Sequence, residues 1–240
     1  FLRPLGLRLG DTLAQLEKQY GAAEQAAQDA AGRLGAARRG AAVELQQRIL
    51  AELRDLDMYK VRFEIAFEEK PLEADGGDRV RFLMSANAGE DLRPIHKIAS
   101  GGELARIMLA LKNVLAETDH VGTLVFDEVD TGVSGRAAQK VGEKMAQVSR
   151  RKQVLCVTHL PQIAAMADAH FSVEKGEEQG RTYTKVHCLN RQQREAELAR
   201  ITGGARITDA LLQSAGEMLD AAQAYRNALE SDQAHRPADK

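Results

Sequence analysis

The stretch "LVFDEVDTGVSG", residues 124–135, runs three apolar side chains into the adjacent acids Asp127 and Glu128, with Asp130 two places further on and a glycine-bracketed turn behind it. Carboxylates are costly to take out of water, so an apolar strand that ends on two of them points to a wet cleft at that end. Acids there can hold a hydrated Mg2+ and orient a water, because Mg2+ prefers oxygen ligands and keeps several of its own waters. The plainer alternative, a strand-end acid capping the next helix, fits two adjacent acids less well. A second candidate is His159 in "VTHLP", just past another apolar run and before Pro161 opens a helix. A lone histidine is more often structural, but at this place it can reach a terminal phosphate or an attacking water. The third is "IASGGELAR", residues 98–106. Glycines at a helix start allow close backbone approach, and the positive dipole end attracts an anion such as phosphate. The same letters also spell an ordinary N-terminus, with Ser100 capping and Glu103 completing a capping box. In "DTGVSG", Asp130 and the glycines can turn the chain across an interface, though such turns are common.

These groups need elements to hold them. Residues 11–57 read as helix, with Leu13, Leu16, Tyr20, Ala23, Ala27, Ala30, Leu34, Ala37 and Ala41 spaced alternately three and four. That is the roughly 3.5-residue period of a coiled-coil seam, with a simple amphipathic helix as the alternative. Gly21, Gly32, Gly35 and Gly40 weaken the helix by up to about 1 kcal/mol each, so a partner helix and a bend near residue 40 are expected. From 59 the period changes to two: Val61, Phe63, Ile65 and Phe67, then "EADGGD", then Val80, Phe82 and Met84 predict a hairpin with one buried face. The division is therefore a helical segment, 1–58, and an α/β unit, 59–240. In the latter a helix over 102–117 precedes the strand "GTLVF". A helix over 135–149, the strand "QVLCVT", a short helix over 161–167, strands near 169–175 and 181–189, and helices over 191–201 and 207–230 follow. Continuous apolar strands alternating with helices predict a parallel sheet covered on both faces. The tail "SDQAHRPADK" reads as polar and frayed.

Composition narrows the remaining classes. At 240 residues and 44% hydrophobic side chains the chain can bury a sizeable core. Thirty-three basic and 35 acidic residues give a net charge of -2, so no global electrostatic attraction to nucleic acid or membrane exists. No apolar run approaches the roughly 18 residues that cross a bilayer, and "FLRPLGLRLG" does not form a signal peptide, so a cytoplasmic protein without membrane partners is expected. The chain opens on Phe1, and a preceding segment is expected. Cys156 and Cys188 lack metal-ligand spacing and read as ordinary buried thiols. No G-x-S-x-G elbow, H-E-x-x-H or paired C-x-x-C occurs, which argues against an α/β-hydrolase and against a zinc site.

Taken in order, "ASGGE", "TLVFDEVD", "TGVSG" and "VTHLPQIAAMAD" resemble the signature, Walker B, D-loop and switch-histidine series of ABC-type ATPase heads. With the helical arm they resemble those of the structural-maintenance-of-chromosomes (SMC) class that serve bacterial DNA repair. The resemblance covers essentially the whole chain. It implies the C-terminal lobe of an ABC/SMC-type P-loop ATPase head with an N-terminal coiled-coil segment. It further implies ATP and Mg2+ as cofactors, Asp127 holding Mg2+ through water, Glu128 as general base and His159 at the γ-phosphate. Asp130 would communicate across a head dimer, and Ser100, Gly101, Gly102 and Glu103 would meet the nucleotide of the opposite head. Ala99 and Glu103 depart from the commonest signature without removing the serine and backbone contacts. The phosphate-binding pattern G-x-x-x-x-G-K-[ST] occurs nowhere in the chain, so the resemblance implies an N-terminal lobe that carries it. Without that loop the chain alone is expected to neither bind ATP tightly nor hydrolyse it. Further implied partners are a second head, DNA and recombination proteins, in a nucleoid-associated setting. The rival expectations are a non-catalytic coiled-coil scaffold and the ATPase subunit of a transporter.

Overall fold

The computed structural model describes residues 3–85, 89–97, 101–116, 118–178, 181–204 and 206–234. Helix α1 (Arg3–Asp55) is 53 residues long and continues through residue 40 without interruption. Its outer part is solvent-exposed, including Leu13, Leu16 and Tyr20. Its inner part enters the core through Ile49 and Leu53, with Leu56 just past its end. Strands β1 (Arg62–Glu73) and β2 (Gly76–Ser85) form the expected antiparallel hairpin, pairing Phe63 with Met84, Ile65 with Phe82 and Phe67 with Val80. A two-residue strand β3 (Arg93–Pro94) extends it beside β2. The hairpin lies along α1, which explains one of the helix glycines: a Cβ on Gly35 would fall 2.5 Å from Asp78 Oδ2. Arg39 Nη2 donates to the other oxygen of Asp78 at 2.8 Å and its guanidinium stands 5.2 Å from the Phe67 ring centroid. The hairpin's apolar face is covered at Phe63, Ile65 and Met84, whereas Val80 and Phe82 remain exposed.

Helix α2 (Gly101–Val114), strand β4 (Thr123–Phe126), helix α3 (Gly135–Ser149), strand β5 (Gln153–Cys156) and the one-turn helix α4 (Pro161–Ala165) follow in the expected order. Ile107 and Leu111 of α2, Leu124 and Phe126 of β4, and Val141, Met145 and Val148 of α3 close on the inner end of α1 and on the hairpin as one core. Lys144 of α3 joins this core to α1 through ion pairs of 2.8 Å with both Glu52 and Asp55.

The expected parallel sheet covered on both faces is corrected here. Among the described residues the parallel sheet has two strands, β4 and β5, and only one face is packed. Leu124 and Phe126 point into the core, while Val125 is 69% exposed and Leu155 and Val157 are exposed beside it. The later strands, β6 (Phe171–Glu178) and β7 (Arg181–Cys188), pair with each other as a separate antiparallel hairpin. Helices α5 (Arg191–Gly203) and α6 (Asp209–Ala234) pack on α4 through a second, smaller core of Ala165, Met166, Leu198, Ala215 and Leu219. Arg194 and Arg226 donate to the carbonyls at the end of α4, Arg194 to Ala167 O at 2.8 Å and Arg226 to Met166 O at 3.0 Å. Cys156 is half-buried but Cys188 is exposed, which corrects the reading of both as buried. The last six residues of the polar tail lie outside the described residues. Among the described residues no helix is long and apolar enough to cross a membrane.

Candidate functional site

Parallel pairing decides where the candidate groups meet. Leu124 pairs with Val154 and Phe126 with Cys156, and Val157 N donates to Phe126 O at 3.0 Å, so both strands finish at the same edge. Ligands of open parallel sheets bind beyond that carboxyl edge. Asp127 and Glu128 leave β4 there, and His159 leaves β5 there. Asp127 Oδ1 accepts from Glu128 N at 2.9 Å, and Glu128 adopts φ 57, in the left-handed region. A side chain other than glycine is uncommon in that region and is found where a turn or a site requires it. The turn continues with Thr131 N donating to Glu128 O at 3.0 Å, leaving Asp127 and Glu128 exposed and sending Asp130 inward.

Asp130 is 4% exposed, and its carboxylate bonds to the β5–α4 loop. Its Oδ2 accepts from Thr158 Oγ1 at 2.6 Å and from His159 N at 2.9 Å, and His159 Nδ1 lies 3.0 Å away. Thr158 Oγ1 in turn accepts from Leu160 N at 3.1 Å. A buried carboxylate needs such charge-assisted bonds, and these fasten the loop after β5 to the turn after β4. The His159 side chain remains 73% exposed. The negative field of this edge reaches the neighbouring thiol: Cys156 is pushed up to about 12 by burial first, then by Asp130 and Asp127.

The start of α2 abuts the same turn. A Cβ on Gly101 would lie 2.8 Å from Glu128 Oε2, and one on Gly102 would lie 2.8 Å from both Thr131 Cβ and Thr131 O. At Gly102, which faces backbone, only glycine permits this approach. Within one chain, therefore, the acid turn and the glycine helix start lie against each other. Ser100 lies outside the described residues, and so does the capping box it would form; Glu103 sits half-buried in the first turn of α2. Arg106, one turn on, is buried and donates through Nη1 to Thr131 O at 2.8 Å and Val129 O at 3.4 Å. Burial lowers its pKa, with Glu103 opposing. Sequence reasoning missed both Arg106 and Thr158. The available signals were a cation in an otherwise apolar stretch of helix and a hydroxyl directly before a strand-end histidine.

Among the described residues no group of three or more His, Cys, Asp or Glu side chains could hold a metal. Asp127 offers a single exposed carboxylate, a donor set that suits a cation keeping most of its waters and rules out an all-protein cage.

No protein-family model matches the chain. Curated relatives do. The DNA repair protein RecN of Halalkalibacterium halodurans is 44% identical over 194 residues, covering 79% of this chain and 34% of its own length. RecN of Haemophilus influenzae is 41% identical over 207 residues, 85% of this chain and 37% of its own. RecN of Synechocystis sp. is 39% identical over 233 residues, 90% of this chain and 40% of its own. Among solved structures, the Smc head domain with a coiled coil and joint from Pyrococcus yayanosii matches 66% of this chain and 29% of its own, at 20% identity and a TM-score of 0.49.

A long helix runs into an α/β unit whose parallel strands end in an Asp-Glu pair and a histidine at one edge. Identity near 40% across most of the chain gives the family. The chain belongs to the RecN family, and it spans about a third of the length of the curated relatives it matches.

Proposed function

We propose that this chain is the C-terminal lobe of an ATPase head acting in DNA double-strand-break repair. The observation that carries the reading is the convergence of Asp127, Glu128 and, through Asp130, His159 at the carboxyl edge of β4 and β5, in a chain similar to DNA repair proteins over most of its length. Glu128, exposed at the end of the strand, acts as general base: it draws the proton from a water aimed at the γ-phosphate. Asp127 holds Mg2+ through water. When bound, Mg2+ neutralises charge on the phosphate oxygens. His159 contributes an exposed ring to the γ-phosphate side. Ser100, Gly101, Gly102 and Glu103 present a helix start to the nucleotide of an opposing head, which suits the dipole and open amides of such a start. The contact of Gly101 with Glu128 couples that surface to the base within the same chain.

The bare face of β4 and β5 fits an N-terminal lobe that carries the G-x-x-x-x-G-K-[ST] loop. Val125, Leu155 and Val157 supply its apolar floor, and between α2 and the β4 edge a groove of about 280 Å3 lined by Ala105, Met108 and Val125 opens beside Asp127. The exposed seam of α1 suits an antiparallel return helix. ATP then joins two complete heads and hydrolysis releases them, a population shift driven by contacts that exist only in the joined state. DNA tethering, recombination-protein partners and a nucleoid-associated cytoplasmic setting follow from this reading.

The test is a nucleotide titration. The 240-residue chain alone is expected to leave Mg-ATP unbound and unhydrolysed. Mixed with an N-terminal lobe bearing the phosphate loop, it should bind Mg-ATP and turn it over. Binding by the N-terminal lobe that this chain neither strengthens nor converts to turnover overturns the reading and favours a non-catalytic scaffold.

A further inference from the structure

Asp130 is buried in the turn after β4. Its Oδ2 already accepts the backbone N–H of His159 at 2.9 Å and the hydroxyl of Thr158 at 2.6 Å. Oδ2 thus carries two donated hydrogen bonds, and His159 Nδ1 approaches it to 3.0 Å as an ion-pair contact, a distance at which a protonated Nδ1 meets the carboxylate better than a lone pair does. The carboxylate is buried and the ring is exposed, so the constraint runs from Asp130 to His159. The ring is further located at its root: His159 N is held by Asp130, and Leu160 N is held by the Thr158 hydroxyl that itself donates to Asp130. Backbone and side chain of the histidine are thus referenced to one fixed oxygen on the neighbouring strand's turn.

We propose that Asp130 is a positioning residue that fixes His159 in the Nδ1–H tautomer, so that the neutral ring offers Nε2, and only Nε2, as a free lone pair toward the cleft. Which nitrogen of an imidazole carries the proton is set by the hydrogen bond the other one makes. In free histidine the Nε2–H form competes; here it would place two lone-pair acceptors, Nδ1 and Oδ2, face to face at 3.0 Å. The fixed tautomer lets Nε2 accept from a water while neutral and donate to a phosphate oxygen once it has taken up a proton. In both states Nδ1–H stays against Asp130 Oδ2. The role of the ring in the cleft rests on the reading of His159 under Proposed function; the tautomer itself does not.

The experiment is long-range 1H–15N correlation spectroscopy of the imidazoles in this 240-residue chain, at about pH 8 where an ordinary imidazole is neutral. His159 is assigned by the signal lost in His159→Gln. In the wild-type chain His159 should show a protonated Nδ1 and a bare Nε2. A protonated Nε2 overturns the proposal without any variant. Asp130→Ala should shift the ring toward the Nε2–H form, whereas Thr158→Val, which leaves the carboxylate in place, should keep the Nδ1–H form. If Thr158→Val shifts the ring as far as Asp130→Ala does, loop geometry rather than the carboxylate sets the tautomer, and the proposal fails. In a complete RecN protein carrying this sequence, Asp130→Ala should slow ATP turnover by about tenfold or more, within the roughly 10²–10⁴ that a positioned acid–base group contributes. Added to His159→Gln it should cause no further loss. If His159→Gln leaves turnover unchanged while the tautomer result stands, the reading of the cleft fails and the positioning does not.

Discussion

The two halves of α1 carry the same kind of apolar stripe and meet opposite fates. At the inner end Leu53 is 1% exposed, enclosed by α2, α3 and the β1–β2 hairpin. Toward the outer end Leu16 is 56% exposed. The two faces of the β4–β5 pair repeat the contrast, with Phe126 buried and Val125 bare. Hydrophobic spacing states that a side chain suits an apolar neighbour; it does not say whether that neighbour is in the same chain. The parts of the fold that look unfinished are therefore those that the proposed partner helix and lobe would cover, while the parts with neighbours in the chain form an ordinary core.

The contrast is broken most severely at the core end. Leu53→Ala should cost about 2–5 kcal/mol, the range for emptying a packed aliphatic site. Leu16→Ala should stay within about 0.5 kcal/mol in the isolated chain, as exposed substitutions do. Urea unfolding of both variants measures the difference, and equal losses would mean that the outer helix is already partnered.

A smaller effect is expected where α3 is tied to α1. Burial works against the charge on Lys144, but the hydrogen bonds it donates to Asp55 and Glu52 outweigh it, and its pKa is raised. Lys144→Met should destabilise the chain by about 1–3 kcal/mol, the cost of leaving the partly buried Glu52 without its partner. Because the folded-state pKa lies above the unfolded one, this contribution is complete below about pH 10.4 and is lost as pH rises through the folded value. The stability difference between wild type and Lys144→Met should therefore shrink in strong alkali; a difference that grows would reverse the sign.

On the bare sheet face, Val125→Asp should change the chain's own stability by no more than about 0.5 kcal/mol. It should nonetheless weaken capture of an N-terminal lobe in a pull-down. A loss of stability with intact capture would show that the face is covered from within the chain. The mildest test concerns the thiols. Exposed Cys188 should react with a thiol reagent at neutral pH, while Cys156, pushed up to about 12, should not until the chain is unfolded. Equal labelling in the folded chain would place Cys156 outside the covered face of the sheet.

Element types and order were readable from the sequence because their periods are strong: the alternation from Val61 to Phe67, the apolar face of the helix at Leu104 to Leu111, and the Pro161 helix start all recur in the structure. The sheet was misread for a definite reason. A run such as Leu124–Val125–Phe126 has no alternation, so it states that both faces are apolar, not that both are covered, and β6 and β7 pair antiparallel with each other rather than joining it. In the site, Asp127, Glu128 and His159 were readable as strand-end polar groups, but their mutual arrangement was not. The Asp130–Thr158–His159 bonds join residues almost thirty positions apart, and the contact of Gly101 with Glu128 depends on the left-handed turn at Glu128. Gly35 shows the same limit: it reads as a weak point of a helix and serves as the clearance for Asp78.

As proposed, the carboxyl edge of β4 is a hydrolytic edge with Glu128 as its base. It is tested most directly by ATP turnover and nucleotide binding in a complete RecN protein carrying this sequence, compared with its Glu128→Gln form. Glu128→Gln should retain Mg-ATP binding and lose turnover by about 10²–10⁴, the contribution of a positioned general base. Turnover equal to that of the unaltered protein would contradict it.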